Sequence, residues 1–186
     1  ATGNGPSAIA TGDLDGDGYP DLVVANRSSS SVSAFLHEPS GYSSVTLAVG
    51  SGLAAVPVVD LDQDYHFDIV AATGGGVVVW WGAGDGTFVD RTDIPCGPTL
   101  KAFDVGDLDL DGILDLVVSR QATSPGRIVV LRGVGQHAFV QTQDFASYAK
   151  SIGLIRLNGD AYLDLLTPGD AYRGFGNGMF LTNSYP

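Results

Sequence analysis

The sequence contains one cysteine, Cys96, in 186 residues, so no disulfide can form within the chain. Charged residues are few (16%), too few for disorder driven by self-repulsion. Lys and Arg number only nine against 21 Asp and Glu, a formal net charge of −12. A chain so poor in positive charge repels nucleic acid and anionic membrane surfaces, which excludes both as direct partners. No apolar run approaches the roughly 18 residues of a membrane-spanning helix. No helical periodicity survives for long between the Gly and Pro breaks. Phe145–Leu157 comes nearest, and it aligns with strand-and-turn segments elsewhere in the chain.

Other absences narrow the chemistry. The three histidines, His37, His66 and His137, have no Ser or Cys partner at a suggestive spacing, and each reads as a turn or surface residue. The Gly runs follow strands and open no helix, so they are not phosphate loops. Cys96, between Pro95 and Gly97, reads as a buried or loop thiol rather than a nucleophile. Trp80 and Trp81 alternate faces on a strand, so one ring should pack in the core and the other is free for packing or for a sugar. Asn26-Arg27-Ser28 fits a glycosylation acceptor, a triplet that also occurs by chance. The start, Ala1-Thr2-Gly3, has no Met and no apolar leader, as expected of a processed or excised chain.

What is present is one figure, four times over. Asp13-Leu14-Asp15-Gly16-Asp17-Gly18-Tyr19-Pro20-Asp21 precedes Leu22-Val23-Val24-Ala25. The figure returns at 60–68, 107–115 and, in a worn form, at 156–164, with starts 47, 47 and 49 residues apart. Between the loops lie short apolar strands and Gly-, Pro- or Ser-rich turns, about four strands per unit. A period in the forties with four strands per unit is the signature of a β-propeller blade. The expectation is therefore an all-β fold: one domain over 1–186, a β-propeller of about four blades of four antiparallel strands.

Carboxylates at positions 1, 3, 5 and 9 of a Gly-containing loop can converge on one point. All-oxygen ligation from a flexible acidic loop selects a hard cation, Ca²⁺ over Mg²⁺. The candidate ligands are Asp13, Asp15, Asp17 and Asp21; Asp60, Asp62, Asp64 and Asp68; and Asp107, Asp109, Asp111 and Asp115. The backbone carbonyls of Tyr19, His66 and Ile113, at position 7, would join them. No Glu follows at position 12 and no helix follows the loop, which excludes an EF-hand. Loop two has Tyr65 where Gly is expected. Loop four has Arg156 and Asn158 in place of two Asp, so about three ions are expected and none in the fourth loop. Arg156 is expected to replace the metal there by pairing with Asp160 or Asp164.

The recurring Asp-x-Asp-x-Asp-Gly-x-x-Asp-Leu-Val-Val of units one and three resembles the FG-GAP/VCBS repeat family. So do Gly82-Ala83-Gly84-Asp85-Gly86-Thr87-Phe88 and the degraded copy Arg132-Gly133-Val134-Gly135. These repeats form the blades of integrin α-subunit propellers and of many bacterial extracellular proteins. The resemblance implies a propeller with structural Ca²⁺ between the first two strands of each blade. Four units could close alone, with residues 1–10 supplying the outermost strand of the fourth. They could also belong to a longer chain, or be completed by self-association. The functional expectation is a non-enzymatic, secreted or cell-surface module for adhesion or recognition. Its partner would be a glycan or protein on the blade-top loops, or another copy of itself. A structural subunit of a surface fibre or layer and a polysaccharide-active lyase or hydrolase are the alternatives.

Overall fold

A computed structural model describes residues 2–53, 55–121, 125–147 and 149–182. Among these residues every regular element is a strand, and the chain divides into two compact units, Ala1–Pro95 and Cys96–Pro186. No helix among them is long and apolar enough to cross a membrane.

The first unit holds two four-stranded antiparallel sheets. Sheet one is β1 (Pro6–Gly12), β2 (Asp21–Asn26), β3 (Ser31–Glu38) and β4 (Gly41–Ala48), hydrogen-bonded in that order. Sheet two is β5 (Val58–Val59), β6 (Asp68–Ala72), β7 (Val77–Gly82) and β8 (Phe88–Ile94). Strand alternation sends Val23, Ala25, Val32 and Ala34 of sheet one, and Ile69, Ala71, Val78 and Trp80 of sheet two, into one shared apolar core. Both tryptophans are buried: Trp80 joins this core, and the Trp81 Nε1–H donates to Thr92 Oγ1 at 2.9 Å.

The second unit repeats the plan. Sheet three is β9 (Leu100–Gly106), β10 (Asp115–Arg120), β11 (Arg127–Gly133) and β12 (Phe139–Ala146). Sheet four has three strands, β13 (Gly153–Ile155), β14 (Asp164–Leu166) and β15 (Ala171–Tyr172). Val117, Ile128, Val130 and Phe145 meet Leu165, Tyr172 and Phe180 in a second core.

The segment Gly178–Thr182 forms no strand of its own and contributes only an isolated bridge, Gly174 to Phe180. Two expectations change. Residues 6–12 are not an outer strand of the fourth sheet, because β1 pairs antiparallel with β2 from Gly12↔Asp21 outward. Asn26 cannot accept a glycan in the folded chain: it is fully buried and its Nδ2 donates to Ser33 Oγ at 2.9 Å.

Candidate metal centres

Each acidic loop joins the first and second strands of its sheet, and its backbone geometry repeats. Positions 4 and 6 take positive φ in the first three loops: Gly16 and Gly18, Gln63 and Tyr65, Leu110 and Gly112. This double left-handed bend turns the alternate carboxylates inward. Loop two makes the same bend without glycine. Loop four keeps it only at Gly159.

The carboxylates then fasten the loop to itself. The amide at position 5 donates to the carboxylate at position 3, as Asp17 does to Asp15 at 3.2 Å. The position-7 amides of Tyr19, His66 and Ile113 donate to Asp17, Asp64 and Asp111 at 2.8 Å. The position-6 amides of Gly18, Tyr65 and Gly112 donate to Asp13, Asp60 and Asp107 at 3.0–3.1 Å.

Position 9 has a job that spacing alone does not reveal. Asp21, Asp68, Asp115 and Asp164 are all buried. One oxygen of each accepts the amide of loop position 2, from Leu14, Leu61, Leu108 and Leu157. The other accepts an amide at the end of the third strand, from His37, Gly82, Gly133 and Gly174. All eight bonds measure 2.7–2.9 Å. Glycine at the strand end is required by close approach: a Cβ at Gly82, Gly133 or Gly174 would collide with the backbone oxygen of Phe67, Leu114 or Leu163.

Three sets of carboxylates converge, with one oxygen from each member within 4.8 Å of the others: Asp13, Asp15 and Asp17; Asp60, Asp62 and Asp68; Asp107, Asp109 and Asp115. Asp21, Asp64 and Asp111 stand in the same loops but outside these triads, and the triads of loops two and three recruit the latch carboxylate instead. Crowding has an electrostatic cost. Burial pushes the Asp68 and Asp115 carboxyls up to about 6, against two amide donors each, with the neighbouring carboxylates adding to the shift. Asp15 is raised too, by burial and then by Asp21, Asp17 and Asp13.

The residues fit a cation. Asp13 Oδ1 and Asp107 Oδ1 are buried oxygens with no hydrogen-bond donor, an arrangement that a bound hard cation satisfies. Such an ion would supply the positive charge that lets the crowded carboxylates stay ionised.

Loop four is neutralised from within, by a different arginine from the one expected. Arg156 Nε donates to the Ala161 carbonyl at 3.0 Å. Arg173, next to the latch glycine Gly174, pairs with Asp160 at 3.2 Å. Asp160 is held below the usual carboxylate range: burial opposes, but the Tyr162 amide, the Arg173 guanidinium and Asn158 outweigh it. Arg132 stands at the same place beside Gly133 and reaches Asp109 at 3.0 Å, so loop three has a partial internal counter-charge. In loop one, His37 stacks on Tyr19 with its Nδ1 3.7 Å from Asp17. The signal for these residues is their place at the end of the third strand, not their distance along the chain.

At the end of β6 away from its acidic loop lies a cleft of about 460 Å³ lined by Thr73, Gly75, Arg91 and Asp93. Arg91 is held there by a two-point pair with Asp93, at 2.9 and 2.7 Å.

The model of a family described as FG-GAP-like repeat matches residues 13–71 and 60–118, together more than half of the chain. No curated protein matches in sequence. Among solved structures, the Bacillus licheniformis rhamnogalacturonan lyase PL11 aligns with 95% of this chain at a TM-score of 0.61 and 15% identity. A candidate 6-phosphogluconolactonase from Bacteroides uniformis aligns with 95% at 0.62 and 14%. At such identities the likeness is one of fold. The chain spans 42% and 53% of those two structures, about half their length.

Proposed function

The chain belongs to the FG-GAP-like repeat family, and from that premise we propose that it is an extracellular, calcium-binding β-propeller module for adhesion or recognition. The observation that carries this reading is the contrast among the four loops. In the first three, carboxylates crowd together, with raised carboxyls at Asp15, Asp68 and Asp115. In the fourth, the acidic set is reduced and Arg173 supplies the positive charge. A loop that needs an outside cation and a loop that carries its own are alternative answers to the same electrostatic problem.

Calcium in this reading is structural. Asp13, Asp15 and Asp17 in loop one, Asp60, Asp62 and Asp68 in loop two, and Asp107, Asp109 and Asp115 in loop three would hold the ions, and the ninth-position carboxylates also latch each loop to its sheet. Four sheets of blade topology are the units of the propeller. Loops held rigid lose little entropy when a partner binds, which suits a recognition surface for a glycan or a protein. The Thr73–Arg91–Asp93 cleft offers hydroxyl, guanidinium and carboxylate groups to such a ligand, and a glycan array addresses it directly.

The test is calcium titration of ion-stripped protein, followed by calorimetry, metal analysis and thermal melting. One ion per triad, three per chain, with a clear rise in melting temperature is the expected result. Protein that takes up no calcium and melts identically with and without it would overturn the reading.

A further inference from the structure

The residue just before each latch donor of the third strand forms a series: Leu36, Trp81, Arg132 and Arg173. Leu36 and Trp81 bring no charge to loops one and two. Arg173 pairs with Asp160 in loop four, where the acidic set is reduced. Loop three is intermediate. Its triad of Asp107, Asp109 and Asp115 is complete, yet Arg132 Nη1 lies 3.0 Å from Asp109 Oδ2. Asp109 is only 9% exposed, and its other oxygen, Oδ1, accepts the Asp111 amide at 3.3 Å. Both of its oxygens are therefore engaged within the protein. The matching carboxylate of loop one, Asp15, accepts only the Asp17 amide among the described residues. Arg132 itself is poorly seated. One nitrogen reaches the carboxylate, while Nε is buried with no acceptor, and a buried donor left unpaired costs free energy. The side chain is 40% exposed, so the guanidinium has a route to water.

We propose that Arg132 is a tethered competitor for the loop-three cation: it holds Asp109 while the loop is empty and swings out when a divalent ion binds. Asp109 cannot serve both at full strength, because a guanidinium close to a doubly charged ion repels it. The ion prevails by its second charge and by drawing on all three carboxylates of the triad. Loop three therefore binds more weakly than loops one and two, by about tenfold or more. In return it has a counter-charge when no ion is present. This rests on the calcium reading of the loops, which loops one and two test separately.

Calcium titration of ion-stripped protein, followed by the amide resonances of Gly18, Tyr65 and Gly112, tests it. Each of these amides donates to the first carboxylate of its own loop, so the three report the loops separately. In the parent, Gly112 should respond at calcium concentrations about tenfold or more above those for Gly18 and Tyr65. In Arg132→Met its midpoint should fall into their range while theirs stay put. Melting should depend on the ion as well: the variant melts below the parent in chelator, and the gap closes in saturating calcium. If Arg132→Met misfolds, Arg132→Gln serves in its place. A Gly112 midpoint equal to the others in the parent, or one that ignores the substitution, would overturn the competitor and leave the calcium reading standing. So would a melting gap of equal size with and without calcium, as expected of a merely structural arginine. No response at any of the three amides would bring down the calcium reading itself, and the competitor with it.

Discussion

At the scale of single residues, the ninth-position aspartate is the hinge of the whole arrangement. It ties loop position 2 to the end of the third strand through two amides that are otherwise buried without acceptors. This explains why Asp164 survives in a loop whose first and third positions are Arg156 and Asn158. Its work does not depend on an ion. Asp164→Ala should therefore destabilise the protein by about 2–4 kcal/mol, since two buried donors lose their acceptor. Denaturant melts of variant and parent, both in excess chelator, measure it. A loss that vanished in chelator would mean that Asp164 acts through a metal after all. Spacing alone picked out the ninth-position aspartates, but as metal ligands rather than as latches, and it did not show their donors. Gly82, Gly133 and Gly174 lie 14, 18 and 10 positions beyond their aspartates, separations set by hairpin length rather than by the loop. The same blindness misassigned the internal cation. Arg156 sits inside the loop sequence, whereas Arg173 reaches Asp160 across the sheet because β15 ends beside it.

At the scale of the element, the loop is a backbone device as much as a carboxylate cluster. Alternating Asp residues announce inward-pointing side chains, and the glycine at position 6 announces one left-handed residue. The second left-handed position is masked, because Gly16, Gln63 and Leu110 share no residue type. Loop two holds Gln63 and Tyr65 at φ of 62° and 73°. An L-residue in that region costs about 1–2 kcal/mol, and the freer unfolded chain of glycine returns about 0.5–1. Tyr65 is 94% exposed, so its ring contributes little packing. Tyr65→Gly should therefore raise stability by about 0.5–1 kcal/mol, read as a higher denaturation midpoint. An unchanged or lower midpoint would show that the bend at Tyr65 carries no strain. The strands themselves were legible from the Val-rich runs after each loop. The exception is the last: Gly178–Thr182 has the apolar pattern of a strand but pairs only at Phe180, as β15 is two residues long and offers little edge to pair with.

At the scale of the whole molecule, the acidity is unevenly shared. Residues 1–95 carry twelve Asp and Glu against two Arg, whereas residues 96–186 carry nine against seven Lys and Arg. The first unit holds two of the three carboxylate triads, at Asp13–Asp17 and Asp60–Asp68. It has no arginine placed like Arg132 or Arg173 at the end of a third strand. The second unit brings its own cations to Asp109 and Asp160, and further arginines, Arg120 and Arg127, hold Asp144. Removing divalent cations should then loosen the first unit far more than the second. Hydrogen exchange read peptide by peptide tests this. In chelator at low ionic strength, segments 13–26 and 60–72 should lose protection, while 156–166 should change little. Adding monovalent salt should restore part of the loss, since screening at about 8–10 Å reaches across a loop. Equal deprotection of both units, or none in either, would show that internal arginines and external cations are not exchanged for one another in this fold.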